Sequence, residues 1–134
     1  MIHNPEIECM SREDMRKIQS ERLLKTVKTC YENVPFYKKK MDEMGVKPED
    51  IKSIDDIVKL PFTTKHDLRD EYPFGLQAVP QSEIRRIHAS SGTTGKPVVG
   101  TYTENDLKMW AECVARVLAV GDVGSGDTVQ VAYG

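Results

Sequence analysis

Ser90-Ser91-Gly92-Thr93-Thr94-Gly95-Lys96-Pro97 is the stretch on which the reading of this chain turns. It sets four hydroxyl side chains, two glycines and one lysine between two short runs, Ile84 to Ala89 and Val98 to Tyr102, that read as strands. Glycine lets a backbone approach a ligand closely and take positive φ. Successive backbone N–H groups then form a concavity suited to an anion. Serine and threonine hydroxyls add donors, and lysine adds a point charge suited to phosphate. The loop is therefore expected to cradle a polyphosphate.

A Walker A loop, G-x-x-x-x-G-K-[ST], is the first phosphate loop to compare, and it fails twice. Aligned on Gly95-Lys96, its first glycine falls on Ser90, and its Mg²⁺-ligating hydroxyl falls on Pro97. A Walker A loop also opens a helix, whereas this loop leads into an expected strand. The phosphate-binding logic survives, and the P-loop fold does not.

Outward from the loop toward the C-terminus, Thr103-Glu104-Asn105-Asp106 has the form of a capping box. It opens a helix with Leu107, Trp110, Val114, Val117 and Leu118 on its apolar side and Gly121 at its end. Asp122 to Asp127 reads as a turn, and Thr128 to Tyr133 alternates as a strand does. Strand, helix and strand in that order predict a βαβ crossover and a parallel pairing. That last strand would leave an open edge, through which a second copy could pair as a homodimer.

Toward the N-terminus the pattern is helical and divided by prolines. Residues 1–10 read as an extended lead-in. Ser11-Arg12-Glu13-Asp14 opens a helix with Leu23, Leu24, Val27, Cys30, Tyr31 and Val34 at helical spacing, closed by Pro35. A second helix is expected from Pro35 to Met44, with Gly45 as its stop. Ser53-Ile54-Asp55-Asp56 and Thr64-Lys65-His66-Asp67 are two further capping boxes before short helices. The expected fold class is α/β, with a helical region over residues 1–83 packed on the beginning of a mixed or parallel sheet. Residues 84–134 would form the start of the α/β part of that fold.

Composition sets the outer limits. The chain has 134 residues, 39% of them hydrophobic and 30% charged, which describes a globular domain with a real core. A net charge of -2 provides no basic field, so neither nucleic acid nor an anionic membrane is an expected partner. No apolar run reaches transmembrane length. Cys9, Cys30 and Cys113 are odd in number and lack CxxC spacing, and no secretory leader is visible, so a reducing cytoplasm fits.

The eight positions Ser90 to Pro97 match [ST]-[ST]-G-[ST]-[ST]-G-x-P, and on them the chain resembles the acyl-adenylate-forming superfamily. The flanks resemble its phenylacetate–CoA ligase family: Arg86-Ile87-His88-Ala89 before the loop, Tyr102-Thr103, Asp106-Leu107 and Trp110 after it, and Gly126 to Gly134 at the end. Asn33-Val34-Pro35-Phe36-Tyr37 and Leu60-Pro61-Phe62-Thr63-Thr64-Lys65 resemble it too. The resemblance implies an enzyme that binds ATP, Mg²⁺ and an aromatic carboxylic acid, forms an acyl-adenylate with release of pyrophosphate, and transfers the acyl group to coenzyme A.

The resemblance further implies that Ser90, Ser91, Gly92, Thr93, Thr94, Gly95 and Lys96 hold the ATP phosphates. By the same resemblance, Tyr133-Gly134 looks like the beginning of the motif that lines the acid pocket. No residue matches the family's adenine, ribose and Mg²⁺ motifs or its late catalytic lysine. The chain is therefore expected to be the N-terminal part of such a ligase and inactive alone. Two rival readings are an adenylate-forming enzyme with a non-CoA acceptor and a non-catalytic interaction module.

Several other residues have plain structural readings. His66 is expected as a solvated first-turn residue, His88 as a strand side chain and Trp110 as core. Cys113 reads as a small buried residue, Asp127 as a turn residue, and Lys38-Lys39-Lys40 as a solvated helix face. Tyr31, Phe36 and Tyr37 read as packing around Pro35.

Overall fold

A computed structural model of the chain describes residues 1–90, 95 and 97–132. Five helices and one hairpin organise them. Helix α1 (Pro5–Glu8) is followed by α2 (Arg12–Asn33), α3 (Pro35–Glu43) and α4 (Lys65–Asp70). Strands β1 (Ile84–Ala89) and β2 (Val99–Thr103) precede α5 (Glu104–Val120). Short 3-10 turns at Pro48–Asp50, Ile54–Lys59 and Gln81–Glu83 fill the connections.

Each helix start is set locally. The Ser11 hydroxyl accepts from the Asp14 N–H at the head of α2 (3.0 Å). Ser53–Asp56, Thr64–Asp67 and Thr103–Asp106 each form the reciprocal pair of cap bonds, which satisfies amides a helix start leaves free. Helix α3 ends as a Schellman motif: Val46 N–H donates to Met41 O (2.9 Å) and Gly45 N–H to Asp42 O (3.0 Å). Gly45 sits at φ +68°, where a side chain is disfavoured.

The core lies where α2 and α3 cross the following turns. Val27, Met41 and Ile51 form it, with Leu23, Tyr31, Val46 and Leu60 packed around them. Val34, between the two helices, is 1% exposed. Lys40 departs from the solvated face expected of it. Its ammonium donates to Asp67 Oδ2 and Phe62 O, each at 3.0 Å, and lies over the Phe36 ring at 4.7 Å. It ties α3 to α4, while Lys38 and Lys39 remain exposed. Phe36 and Tyr37 meet edge to face at 5.1 Å beside Pro35, and the Tyr31 hydroxyl donates to Asp42 at 2.7 Å.

Three expectations are corrected here. The lead-in is not extended throughout: Asn4 caps α1, and Pro5 supplies its first residue. The N-terminal segment then docks on α5. Asn4 Nδ2 donates to Glu112 Oε1 (3.0 Å), and the Met1 ammonium donates to Ala119 O (3.1 Å) and Asp122 Oδ1 (2.9 Å). Secondly, the sheet is an antiparallel pair, β1 with β2, and shows no parallel crossover among the described residues. Residues 128–132 form no strand, because a strand exists only where a neighbour completes its ladder. Val129 and Val131 stay exposed. The α/β class holds as a helical region beside a small sheet. Thirdly, the αL position after α5 falls on Asp122 (φ +61°), one residue beyond the glycine expected to end the helix.

Candidate phosphate-loop site

Strand β1 runs directly into the candidate loop and β2 follows directly after it. The hairpin register pairs His88 with Gly100 and Ala89 with Val99. One residue further, Ser90 N–H donates to Val98 O and Val98 N–H donates to the Ser90 hydroxyl oxygen, both at 2.9 Å. These two bonds continue the ladder past its last strand residues and close the neck of the loop. Ser90 thus has a structural task beyond the phosphate contact expected of it. Its oxygen is an acceptor for Val98, and its own proton remains free to donate.

Gly95 is the other described residue of the predicted site. Its φ is +125°, a conformation closed to ordinary side chains. Among the described residues no atom outside its chain neighbours lies within 4 Å of where a β-carbon would stand, and the positive φ by itself favours glycine there. Ser91, Gly92, Thr93, Thr94 and Lys96 lie outside the described residues, as do Tyr133 and Gly134. No three His, Cys, Asp or Glu side chains converge on a metal-sized site among the described residues.

Around the neck stands a ring cluster that pattern reading did not assemble. His88 from β1, Tyr102 from β2 and Trp110 from α5 meet pairwise, with centroids 5.2 Å (His88–Tyr102), 5.3 Å (His88–Trp110) and 5.3 Å (Tyr102–Trp110) apart. His88 is a strand side chain, as expected. Trp110 is 39% exposed and belongs to this cluster, not to the buried core. The nearest sequence signal was Gly100. It lies opposite His88, and a β-carbon there would stand 3.1 Å from the Tyr102 hydroxyl oxygen. A glycine inside a strand marks such a close approach.

The remaining candidates sort plainly. His66 is exposed in the first turn of α4. Asp127 is a turn residue whose carboxylate accepts from Gly124 N–H at 2.7 Å. Cys113 is exposed, contrary to expectation, because its side of α5 faces an open cleft and no packed layer. That cleft, of about 1040 Å³, separates α2 from the hairpin and α5 and is lined by Arg22, Thr26, Cys30, Thr101, Met109 and Cys113 among others. Burial raises the Cys30 thiol pKa above its ordinary value, which favours the protonated thiol. All three cysteines are free, and no helix among the described residues is long and apolar enough to cross a membrane.

No protein-family model matches the chain. Curated sequences do. It is 52% identical over all 134 residues to a phenylacetate-coenzyme A ligase of Thermus thermophilus. It is 50% identical over 128 residues, 96% of the chain, to the ligase of that name from Escherichia coli (strain K12). The chain spans 30% of the Thermus protein's length and 29% of the E. coli protein's.

Among solved structures, 2-hydroxyisobutyryl-CoA ligase in the postadenylation state, in complex with 2-HIB-AMP, superposes with a TM-score of 0.77. The identity is 31%, over 88% of this chain and 26% of that one. The same ligase in its thioesterification state, with 2-HIB-AMP and CoA, gives a TM-score of 0.72 at 33% identity over 81% of this chain and 24% of that one. In sequence the chain is similar to phenylacetate–CoA ligases along its whole length, and in fold to part of an acid–CoA ligase.

Proposed function

We propose that this chain supplies the polyphosphate-holding loop of an AMP-forming acid–CoA ligase that acts on an arylacetic acid such as phenylacetate. The motif Ser90 to Pro97, set at the mouth of an antiparallel hairpin, carries the reading. In the first step the acid's carboxylate oxygen attacks the α-phosphorus of ATP. The bond to the bridging oxygen breaks, and pyrophosphate leaves. Negative charge builds on the leaving phosphates. Ser91, Thr93 and Thr94 hydroxyls, the Gly92 and Gly95 amides and the Lys96 ammonium would stabilise it. The Ser90–Val98 clamp, which closes the neck, and the positive φ of Gly95, which favours a residue without a side chain, support the reading. Mg²⁺ would arrive with ATP as part of the substrate.

In the second step the thiol of coenzyme A attacks the acyl carbon and AMP departs. Residues 1–83 would form the helical cover of the ATP-binding subdomain that begins at residue 84, and Tyr133-Gly134 would open the acid-pocket wall. A cytoplasmic enzyme suits three free cysteines.

A replacement experiment tests the reading. The corresponding segment of the Thermus ligase is exchanged for these 134 residues, and phenylacetyl-CoA and pyrophosphate are measured with ATP, phenylacetate and coenzyme A. Thioester formation is expected. Changing Lys96 to Ala in the chimera should lower kcat by about 10²–10³, the loss typical of one preorganised charge-stabilising donor. Acyl-adenylate that never reaches coenzyme A would instead select the non-CoA acceptor. An unchanged rate for Lys96→Ala would overturn the loop assignment.

A further inference from the structure

His88, Tyr102 and Trp110 belong to three successive elements, yet their rings meet in one cluster beside the loop neck, with all three centroid distances between 5.2 and 5.3 Å. We propose that this cluster is a positioning unit: it fastens the hairpin to α5 and so fixes the clamp between Ser90 and Val98. The proposal rests on the reading of that loop as a phosphate cradle.

Placement argues for this role. His88 lies two residues before Ser90, opposite Gly100, and Tyr102 lies four residues after Val98, opposite Arg86, so the two strand rings stand along the hairpin below the clamp. Gly100 leaves the space over which Tyr102 folds, since a β-carbon there would come within 3.1 Å of its hydroxyl. Trp110 then covers both rings from the second turn of α5. Offset and edge-on ring contacts fix orientation as well as distance. The cluster is also separate from the main core: Trp110 is 39% exposed, while Val27, Met41 and Ile51 lie between α2, α3 and the turns. Disturbing it should loosen the hairpin neck without dissolving the helical region.

Amide hydrogen exchange on the whole chain tests this in wild type, Tyr102→Leu, Trp110→Leu and Tyr102→Phe. In both Leu variants the Ser90 and Val98 amides should exchange about tenfold faster, while amides in the middle of α2 keep their wild-type rates. Tyr102→Phe, which keeps the ring, should restore protection. Unchanged protection at Ser90 and Val98 in both Leu variants would overturn the proposal. Equal acceleration throughout α2 would overturn it too, because that marks general destabilisation. Inorganic pyrophosphate titrated into the same proteins supplies a second arm. Weaker binding in the Leu variants, recovered in Tyr102→Phe, supports the unit. Should wild type bind no pyrophosphate, the phosphate-cradle reading falls, and the exchange data still decide the positioning role.

Discussion

Ser90 and Val98 exchange two hydrogen bonds of 2.9 Å, one backbone to backbone and one backbone to hydroxyl, and the candidate loop is strung between them. The second bond uses a side chain where a strand would use a carbonyl, so the ladder ends on a residue that can also face a ligand. Ser90→Ala removes only the acceptor for Val98 N–H, a group water can reach. Stability should fall by no more than about 1 kcal/mol. Exchange at the Val98 amide should accelerate in Ser90→Ala and recover in Ser90→Thr. Identical Val98 exchange in Ala and wild type would show that the clamp does not hold in solution.

Asp67 gives the tie between α3 and α4 a pH dependence. The Thr64 N–H, the Lys40 ammonium and the Thr64 hydroxyl all donate to its Oδ2, and together they lower its pKa from 3.8 to about 2. A carboxylate with a depressed folded pKa stabilises the fold above its unfolded value and loses that contribution as pH falls through the folded one. The melting temperature of wild type relative to Asp67→Asn should therefore be constant above about pH 5 and fall between about pH 4 and pH 2. A difference that does not change across that interval would refute the coupling.

Two helix ends make opposite predictions. Gly45 ends α3 at φ +68° with open space around it, so Gly45→Ala meets no neighbour and costs only backbone strain, about 1 kcal/mol in a urea melt. Asp122 occupies the equivalent position after α5 at φ +61°. Asp122→Gly should raise the melting temperature, because its ion pair with the Met1 ammonium is exposed and contributes little. A lowered melting temperature would mean that the docked N-terminus matters more than the strain.

Ile51 reads the core directly. It is 2% exposed and packs with Val27 and Met41. Ile51→Ala should cost about 2–5 kcal/mol by chemical denaturation, whereas Val58→Ala, at a position 85% exposed in the Ile54–Lys59 turn, should change stability by less than about 0.5 kcal/mol. Similar values for the two would place the core elsewhere.

The starts of α2, α3, α4 and α5 were legible because they are written in adjacent residues, whereas the start of α1 at Asn4 was not read. Ser53–Asp56, Thr64–Asp67 and Thr103–Asp106 each close a cap across three positions, and α3 is opened by Pro35 and closed by Gly45 at positive φ. The hairpin strands were legible on either side of the loop, and their antiparallel pairing was not. Ile84 to Ala89 and Val98 to Tyr102 carry no mark of direction, and the helix after them suggested a crossover. Lys40 could not be told from Lys38 and Lys39, since only the approach of α4 brings Asp67 within 3.0 Å.

The eight residues Ser90 to Pro97 carry the proposed phosphate-loop reading by themselves, because such a loop is written in consecutive small, hydroxyl-bearing and charged residues and needs no distant partner to be proposed. Tertiary structure alone decided what stands beside the neck formed by Ser90 and Val98. The ring cluster joins residues 88, 102 and 110, and the N-terminal ammonium reaches Asp122 across 121 positions. Such contacts depend on how elements pack, and packing is set by all the side chains that meet at a surface, not by the spacing of any one segment.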